Sequence, residues 1–362
     1  MITVPVSLGE NSYEVRIGDA LLAAVGENAR EVFPKAKRCA IVTDSTVGPL
    51  YGEAVCASLR AAGFTPHLIT VPAGEPSKSF AALETVTRSM IAAGLDRKAV
   101  LVALGGGVIG DLAGFAASVF FRGIPYIQIP TTIVSVVDSS IGGKTGINTP
   151  EGKNLVGTFH QPRRVLIDPL TLGSLPTREY NEGFAEIIKH AAIRDSAMLP
   201  DIARASVSER HDGIAPLIAR NVAIKAAIVS EDEFETKGLR ALLNFGHTIG
   251  HAIEASAGYG ELLHGEAISL GIRAALYLSE KQAGLSSGDS NALLTLLAAF
   301  RLPLLLPENI PTAQIMEKLG RDKKFDQGAI RFVLLRGIGD AFVSDEVTRR
   351  DIVEAVETLR GV

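Results

Sequence analysis

His247 and His251 stand four residues apart in His247-Thr-Ile-Gly-His251, a spacing that puts two imidazoles on one face of a helix. Thr248 occupies the place where a zinc-protease motif carries its Glu, so a metalloprotease is excluded. The pair alone also suits two helix-face histidines satisfied by other polar groups. Thirteen residues on comes His264-Gly265-Glu266, and upstream Glu186 lies in Glu182-Gly-Phe-Ala-Glu186-Ile-Ile-Lys189-His190. One carboxylate and two imidazoles around an open position form a catalytic zinc set. With Glu186 and His264 added, metal binding becomes the better account. Leu239-Arg240-Ala-Leu-Leu-Asn244 runs one and two turns before His247. A continuous helix would bring Arg240, Asn244, His247 and His251 onto one face.

A second group of residues points to anions. Ala103-Leu104-Gly105-Gly106-Gly107-Val108-Ile109-Gly110-Asp111 closes an expected strand and opens an expected helix. Glycines there let backbone approach a pyrophosphate, and the helix N-terminus supplies N–H groups and partial positive charge. The run fits G-x-G-x-x-G at Gly105, Gly107 and Gly110. It lies a hundred residues into the chain, without an acidic residue at the usual distance, so a glycine turn for tight packing is an equal account. Between Arg122 and Asn154, Pro130-Thr131-Thr132, Asp138-Ser-Ser-Ile-Gly-Gly-Lys144 and Glu151-Gly-Lys153-Asn154 place two lysines in Gly-rich loops beside hydroxyls. That combination resembles a phosphate or carboxylate cradle. A solvated glycine loop accounts for the Gly and Lys content, but not for the clustering of Asp138, Lys144, Lys153 and Asn154. Lys225 and Asp322-Lys323-Lys324 are further cations, readable as anion ligands or as solvated charge.

These residues need positioning elements. Ala40–Thr43, His67–Val71, Ala99–Leu104, Tyr126–Pro130 and Val165–Ile167 are short apolar runs of parallel-strand character, separated by helical patterns at 52–62 and 79–93. After Leu172 the texture turns to long Ala/Leu/Ile-rich helical stretches: Arg178–Arg194, Ile214–Glu233, Leu239–Ala257, His264–Ala283 and Ala292–Phe300, with one hairpin at Ile330–Val343. The reading is an α/β domain over 1–172 and a mainly helical domain over 173–362, with a ligand cleft expected between them. The 362 residues carry 47% hydrophobic content and a formal net charge of -4, which gives no electrostatic case for nucleic acid or an anionic membrane. Cys39 and Cys56 have no metal or redox spacing and read as buried thiols in a reducing compartment. No apolar stretch reaches spanning length, so a soluble, cytoplasmic protein is expected.

Gly-Gly-Gly-Val-Ile-Gly-Asp, Pro-Thr-Thr, Asp-Ser-Ser-Ile-Gly-Gly-Lys-Thr-Gly-Ile-Asn, Gly-Lys-Asn-Leu-Val-Gly-Thr-Phe-His-Gln-Pro and Asn-Phe-Gly-His-Thr-Ile-Gly-His-Ala-Ile-Glu together resemble the 3-dehydroquinate synthase family of sugar-phosphate cyclases, over essentially the whole chain. The resemblance implies a Rossmann-like N-terminal domain and a helical C-terminal domain. It implies NAD held by Asp44, Glu75, Lys78, Gly106, Gly107, Val108, Ile109, Gly110, Asp111, Thr131 and Thr132, with Asp138, Lys144, Lys153 and Thr171 along the cofactor. Zinc or cobalt would take Glu186, His247 and His264. A seven-carbon keto-acid sugar phosphate would meet Asp138, Lys144, Lys153, Asn154, Lys189, Lys225, Arg240, Asn244, His251 and Lys324. Arg122 would reach in from the partner of a homodimer, next to Phe120 and Phe121 read as exposed interface aromatics. The implied chemistry is that of a phosphate-eliminating lyase of the shikimate route to chorismate and the aromatic amino acids. NAD transiently oxidises an alcohol, phosphate leaves, the hydride returns, and the ring opens and closes by an intramolecular aldol step. Two departures from the family's pattern stand out: Ala73-Gly74-Glu75 replaces Asp-Gly-Glu, and Glu235–Arg240 is one residue longer. The competing readings are a sister cyclase making a valiolone, deoxy-inosose or amino-dehydroquinate product, an NAD- and metal-dependent polyol dehydrogenase, and a non-catalytic binding protein.

Overall fold

All six residues of Val100–Gly105 and all five of Tyr126–Pro130 are buried, as are all but the first of Arg38–Asp44. Strands without a solvent face need cover on both sides. In the computed structural model, which describes residues 1–208, 210, 213–258, 261–320 and 331–361, that cover is present. The N-terminal strands are β1 (Ile2–Val6), β2 (Tyr13–Ile17), β3 (Arg38–Asp44), β4 (Thr65–Val71), β5 (Val100–Gly105), β6 (Tyr126–Pro130), β7 (Lys144–Thr149), β8 (Gly152–Phe159) and β9 (Arg164–Ile167). Seven of them form a sheet in the order β1-β2-β9-β6-β5-β3-β4. Only β1 runs antiparallel to its neighbour.

The period-2 rule sorts the side chains. Cys39 and Ile41 of β3, with Val100 and Val102 of β5, pack under helices α1 (Val25–Val32) and α2 (Glu53–Ala61). Ala40 and Val42, with Leu101 and Ala103, pack under α3 (Phe80–Ala92) and α4 (Gly107–Val119). Each fully buried Val or Leu contributes about 1.5–3 kcal/mol relative to exposure. Both cysteines are free and buried, and burial pushes the Cys39 thiol up to about 12. The chain goes from β3 outward to β4, then to β5 on the other flank of β3. Strand order thus reverses between β3 and β5, and open sheets of this kind take ligands at the carboxyl ends beside such a point.

The stretch carrying Lys144 and Lys153 is a strand pair rather than the expected loops. Gly146 faces Gly157 across the β7–β8 hairpin, and a Cβ on Gly157 would lie 2.0 Å from the Thr145 carbonyl oxygen. These two glycines serve close strand approach. The N-terminal pair β1/β2 also lies outside the expected strands.

The described residues divide into two compact units, Met1–Leu175 with Gly213–Phe234, and Pro176–Asp212 with Glu235–Val362. The second contains α5 (Thr177–Glu182), α6 (Phe184–Arg194) and α7 (Leu199–Ala205). Helix α8 (Ile214–Glu231) belongs to the first. Then follow α9 (His247–Ala257), α10 (His264–Ala283), α11 (Ser287–Ala299), α12 (Thr312–Gly320), β10 (Phe332–Gly337), β11 (Asp340–Ser344) and α13 (Arg349–Glu357). A single break near residue 172 misses the return of α8, which packs on edge strand β1, buries Ile218, Val222 and Val229, and offers Ser230 Oγ to the Ser7 N–H at 3.1 Å. Among the described residues no helix is long and apolar enough to cross a membrane. An α/β unit and a mainly helical unit agree with the fold class read from the sequence.

One expected element fails. No continuous helix runs from Leu239 to Ala257: a short 3₁₀ segment, Leu239–Asn244, ends where Phe245 turns to ψ 124°. Gly246 takes φ 76°, and α9 starts at His247. A Cβ on Gly246 would lie 2.8 Å from the Ile272 backbone nitrogen, so the break needs glycine both for its backbone and for its neighbour. Arg240 and Asn244 therefore share no helical face with His247 and His251.

Candidate functional site

Within the first unit the cofactor candidates collect at the carboxyl ends of the parallel strands. Asp44 ends β3, Glu75 and Lys78 follow β4, Gly106 to Asp111 follow β5, Thr131 and Thr132 follow β6, and Thr171 follows β9. Asp44 Oδ1 accepts from the N–H groups of Thr46 and Val47 at 2.8 and 2.9 Å, which shapes that loop. Helix α4 begins at Gly107 with Gly106 before it and no side-chain cap, so its first-turn N–H groups are not satisfied by a capping side chain. A Cβ on Gly106 would stand 3.0 Å from Thr132 Cγ2, and one on Gly107 3.1 Å from Ser139 Oγ. Beside this turn the buried Thr131 Oγ1 and Ser139 Oγ have no hydrogen-bond partner among the described residues. Bare glycine backbone, an uncapped helix start and unpaired hydroxyls fit a dinucleotide pyrophosphate.

A polar network continues from this edge. Lys78 Nζ donates to Asp111 Oδ2 at 2.6 Å and also to Asn154 Oδ1. Burial pushes the Asp111 carboxyl up, opposed by the Lys78 ammonium. Asn148 Nδ2 donates to Glu75 Oε1 at 2.7 Å, while its own Oδ1 accepts from the Asn154 N–H at 2.9 Å. Lys153 Nζ stands 3.9 Å from Glu75. Lys225 Nζ, buried on α8, donates to Asp138 Oδ1 at 2.7 Å and to the Asp138 carbonyl at 2.6 Å. Thr171 is buried and Lys144 exposed. Asn148 was missed by sequence reasoning, since a single Asn in a glycine-rich run carries no signal of its own.

Arg122 is exposed on a strained turn. Phe121, Arg122 and Gly123 take φ 48°, 68° and 116° in succession, a left-handed run that non-glycine residues rarely sustain. Phe121 is 47% exposed, but Phe120 is 5% exposed and belongs to the core under α3 and α4. The pair of exposed aromatics expected there is therefore one.

In the second unit α6 places Glu186, Lys189 and His190 in the interior, at 0–1% exposure. Buried charge requires partners. Glu186 Oε2 accepts from Lys189 one turn on. Glu186 Oε1 lies 3.3 Å from both His247 Nε2 and His264 Nε2. Donor atoms on a tetrahedral zinc at about 2.0–2.1 Å stand roughly 3.3 Å apart. His251, on the same face of α9, brings its ring centroid to 5.1 Å from that of His247 and 5.7 Å from that of His264. Donor atoms of the three histidines also fall within 4.8 Å of one another.

The electrostatics favour a cation. His247 Nδ1–H donates to the Phe245 carbonyl at 3.1 Å, so a neutral His247 turns its Nε2 lone pair toward Glu186 Oε1. Two lone pairs that close need a proton or a metal between them. Burial pushes the Glu186 carboxyl up, but the Lys189 ammonium and the imidazoles outweigh it and hold it well below its usual range. Burial lowers His264, and the facing carboxylates of Glu186 and Glu254 overcome that and push it up to about 10. Arg240 is buried with Nε 3.3 Å from Glu235 Oε1, and Asn244 is exposed. Lys324 lies outside the described residues.

The α9–α10 crossing sets this geometry. A Cβ on Gly271 would meet the Gly246 carbonyl oxygen at 1.9 Å and the Gly250 nitrogen at 2.7 Å, and one on Gly250 would stand 3.1 Å from the Ala267 carbonyl oxygen. The two helices touch backbone to backbone, with Gly246 against Gly271 and Ile272 and Gly250 against Ala267 and Ile268, which lays the His247–His251 face of α9 against the first turns of α10.

Comparison with known proteins agrees with both halves of this description. Residues 68–182 match the profile for the 3-dehydroquinate synthase N-terminal domain, and residues 183–325 match that for its C-terminal domain. The 3-dehydroquinate synthase of Caulobacter vibrioides is 48% identical over 355 residues, 96% of each chain. Among solved structures, the 2-epi-5-epi-valiolone synthase of Streptomyces hygroscopicus, with NAD+ and Zn2+ bound, superposes with a TM-score of 0.87 at 33% identity, covering 96% of each chain. A 2-deoxy-scyllo-inosose synthase complexed with carbaglucose-6-phosphate, NAD+ and Co2+ gives 0.89 at 26% identity, covering 99% of this chain and 100% of its own. Near-complete coverage at close to half identity decides among the cyclases: the chain belongs to the 3-dehydroquinate synthase family.

Proposed function

We propose that this chain converts 3-deoxy-D-arabino-heptulosonate 7-phosphate to 3-dehydroquinate and phosphate, the ring-forming step of the shikimate route to chorismate and the aromatic amino acids. The observation that carries the reading is the Glu186–His247–His264 centre, in a chain similar along its length to dehydroquinate synthases. When bound, NAD supplies a reversible hydride acceptor, and zinc or cobalt supplies Lewis-acid polarisation of the substrate alcohol. Gly106 to Asp111 offer backbone N–H groups to the pyrophosphate, with Asp44, Glu75, Lys78, Thr131, Thr132 and Thr171 around the rest of the dinucleotide. Lys78 is already paired with Asp111, so this edge brings little net charge, and the dinucleotide's anionic groups fall to the helix start. Glu186, His247 and His264 hold the metal. His251 acts on substrate rather than on the metal.

Asp138, Lys144, Lys153, Asn154, Lys189, Lys225, Arg240, Asn244 and Lys324 meet the carboxylate, phosphate and hydroxyls of the substrate. Lysines act there as point charges, and Arg240 as a planar fork. The protein works as a cytoplasmic homodimer in which Arg122 of each subunit serves the other's substrate phosphate, so each site is composite. The alternative is a sister cyclase such as the 33% identical valiolone synthase, against which the 48% identity to a dehydroquinate synthase weighs. Substrate choice tests between them. The heptulosonate phosphate should give a carbocyclic acid and phosphate, and sugar phosphates that lack a carboxylate should give neither. Turnover of a sugar phosphate without a carboxylate in preference to the acid would overturn the assignment.

A further inference from the structure

We infer that Glu254 is a positioning residue that fixes the tautomer and ring orientation of His264, and thereby the affinity of the centre for its metal. The inference rests on the assignment of Glu186, His247 and His264 as donors. The two nitrogens of His264 face two carboxylates. Nε2 stands 3.3 Å from Glu186 Oε1, and Nδ1 stands 3.3 Å from Glu254 Oε2. An ionised carboxylate only accepts hydrogen bonds, so Nδ1 carries the proton that it donates to Glu254. Nε2 is then left for a metal shared with Glu186. His247 is arranged in the same way, its Nδ1 committed to the Phe245 carbonyl at 3.1 Å and its Nε2 turned to the same Glu186 oxygen. One imidazole is thus set by a backbone group and the other by a side chain.

Glu254 reaches this place through helix periodicity. His247, His251 and Glu254 lie at i, i+4 and i+7 of α9, along one stripe. The close contact of Gly250 with Ala267 and Ile268 brings that stripe against the first turns of α10, where His264 begins the helix. The Glu254 side chain is 16% exposed, a setting in which a charged hydrogen bond to an imidazole counts for more than it does in open water. Glu254 does not join the donor set itself. It faces Nδ1, while Glu186 and His247 face the Nε2 side, and lone pairs on the two ring nitrogens diverge too widely for one ion to meet both. A carboxylate behind a ligating histidine orients the ring and strengthens it as a donor.

Metal affinity, read by competition with a chelator for Zn2+, and the visible absorption of the Co2+-loaded protein test this without recourse to turnover. Glu254→Ala should weaken Zn2+ binding by about 10- to 100-fold. Glu254→Gln, whose amide oxygen still accepts from Nδ1–H, should regain most of that loss. At saturating Co2+ the Glu254→Ala spectrum should match the parent's, because the donors are unchanged. His264→Ala should lose the metal. Parent-like affinity in Glu254→Ala, a Gln variant as weak as Ala, or an altered Co2+ spectrum at saturation would each overturn the inference. If His264→Ala keeps parent affinity, the donor assignment itself fails, an outcome distinct from failure of Glu254 alone. Should the Ala variant not fold, the near-isosteric Gln variant still decides: binding as weak as that of His264→Ala contradicts the hydrogen-bond account.

Discussion

Replacing Gly271 by Ala should damage the metal centre from two helical turns away. In an ordinary helix interior the change stabilises by about 1 kcal/mol, because alanine is the better helix former. Here the new Cβ would sit 1.9 Å from the Gly246 carbonyl oxygen and 2.9 Å from Gly250 Cα, both backbone atoms that no rotamer change can move. Relief requires α10 to move away from α9 by on the order of 1 Å, and overpacking of this kind costs about 1–3 kcal/mol. With backbone on both sides of the contact, overpacking outweighs the gain in helix propensity, leaving a net loss of up to about 2 kcal/mol and a melting temperature lower by up to a few degrees. The same displacement parts His264 from His247, and metal sites tolerate only about 0.2 Å in ligand distance. Zinc affinity should fall by at least tenfold. Thermal unfolding of the metal-free protein and chelator competition read the two effects. Gly288→Ala is the control, since its Cβ meets only Ser286 Oγ at 3.6 Å on helix α11, and it should keep both properties. A Gly271→Ala protein that melts higher than its parent with unchanged zinc affinity would refute the crossing argument.

Three further outcomes follow from the same geometry. His264→Ala should strip the metal, while His251→Ala should retain it and lose turnover; metal analysis of both purified variants checks this, and normal loading of both contradicts the donor set. Without metal, His264 holds its proton up to about 10, whereas Glu186 is already ionised and burial keeps His247 neutral. Each ion therefore displaces one proton, and zinc affinity should rise about tenfold per pH unit between roughly pH 6 and 8; a flat chelator titration across that window argues against it. Arg122→Gly should relieve the left-handed strain and raise stability by up to about 1 kcal/mol while nearly abolishing activity. Subunit exchange with the inactive Lys189→Ala protein should restore activity if Arg122 acts in trans, and no recovery despite proven exchange places it within its own chain.

The centre of the α/β unit was legible because β3, β5 and β6 are buried on both faces and so read as unbroken apolar runs, as in Val100–Leu104. The β7–β8 hairpin was not: its glycines at 146 and 157 look like loop residues, and only their mutual approach explains them. Gly246 broke an expected helix for a similar reason, since its constraint comes from Ile272 on another helix, which no local pattern reveals. Helix α8 is visible as a helix, but periodicity does not name the strand it covers. The convergence of Glu186, His247 and His264 could be read from residue types and spacing. Glu254 could have been found too, as the next member of the His247–His251 stripe, whereas its meeting with His264 depends on how tightly α9 and α10 cross.

At the centre of the proposed chemistry, a hydride leaves the substrate and comes back within one turnover. Mixing the NAD- and zinc-loaded protein with the heptulosonate phosphate, while following phosphate release together with NADH absorbance, tests this most directly. One phosphate should appear for each substrate consumed, with no net NADH. NADH accumulating in proportion to substrate consumed would contradict the returning hydride and make the protein a dehydrogenase.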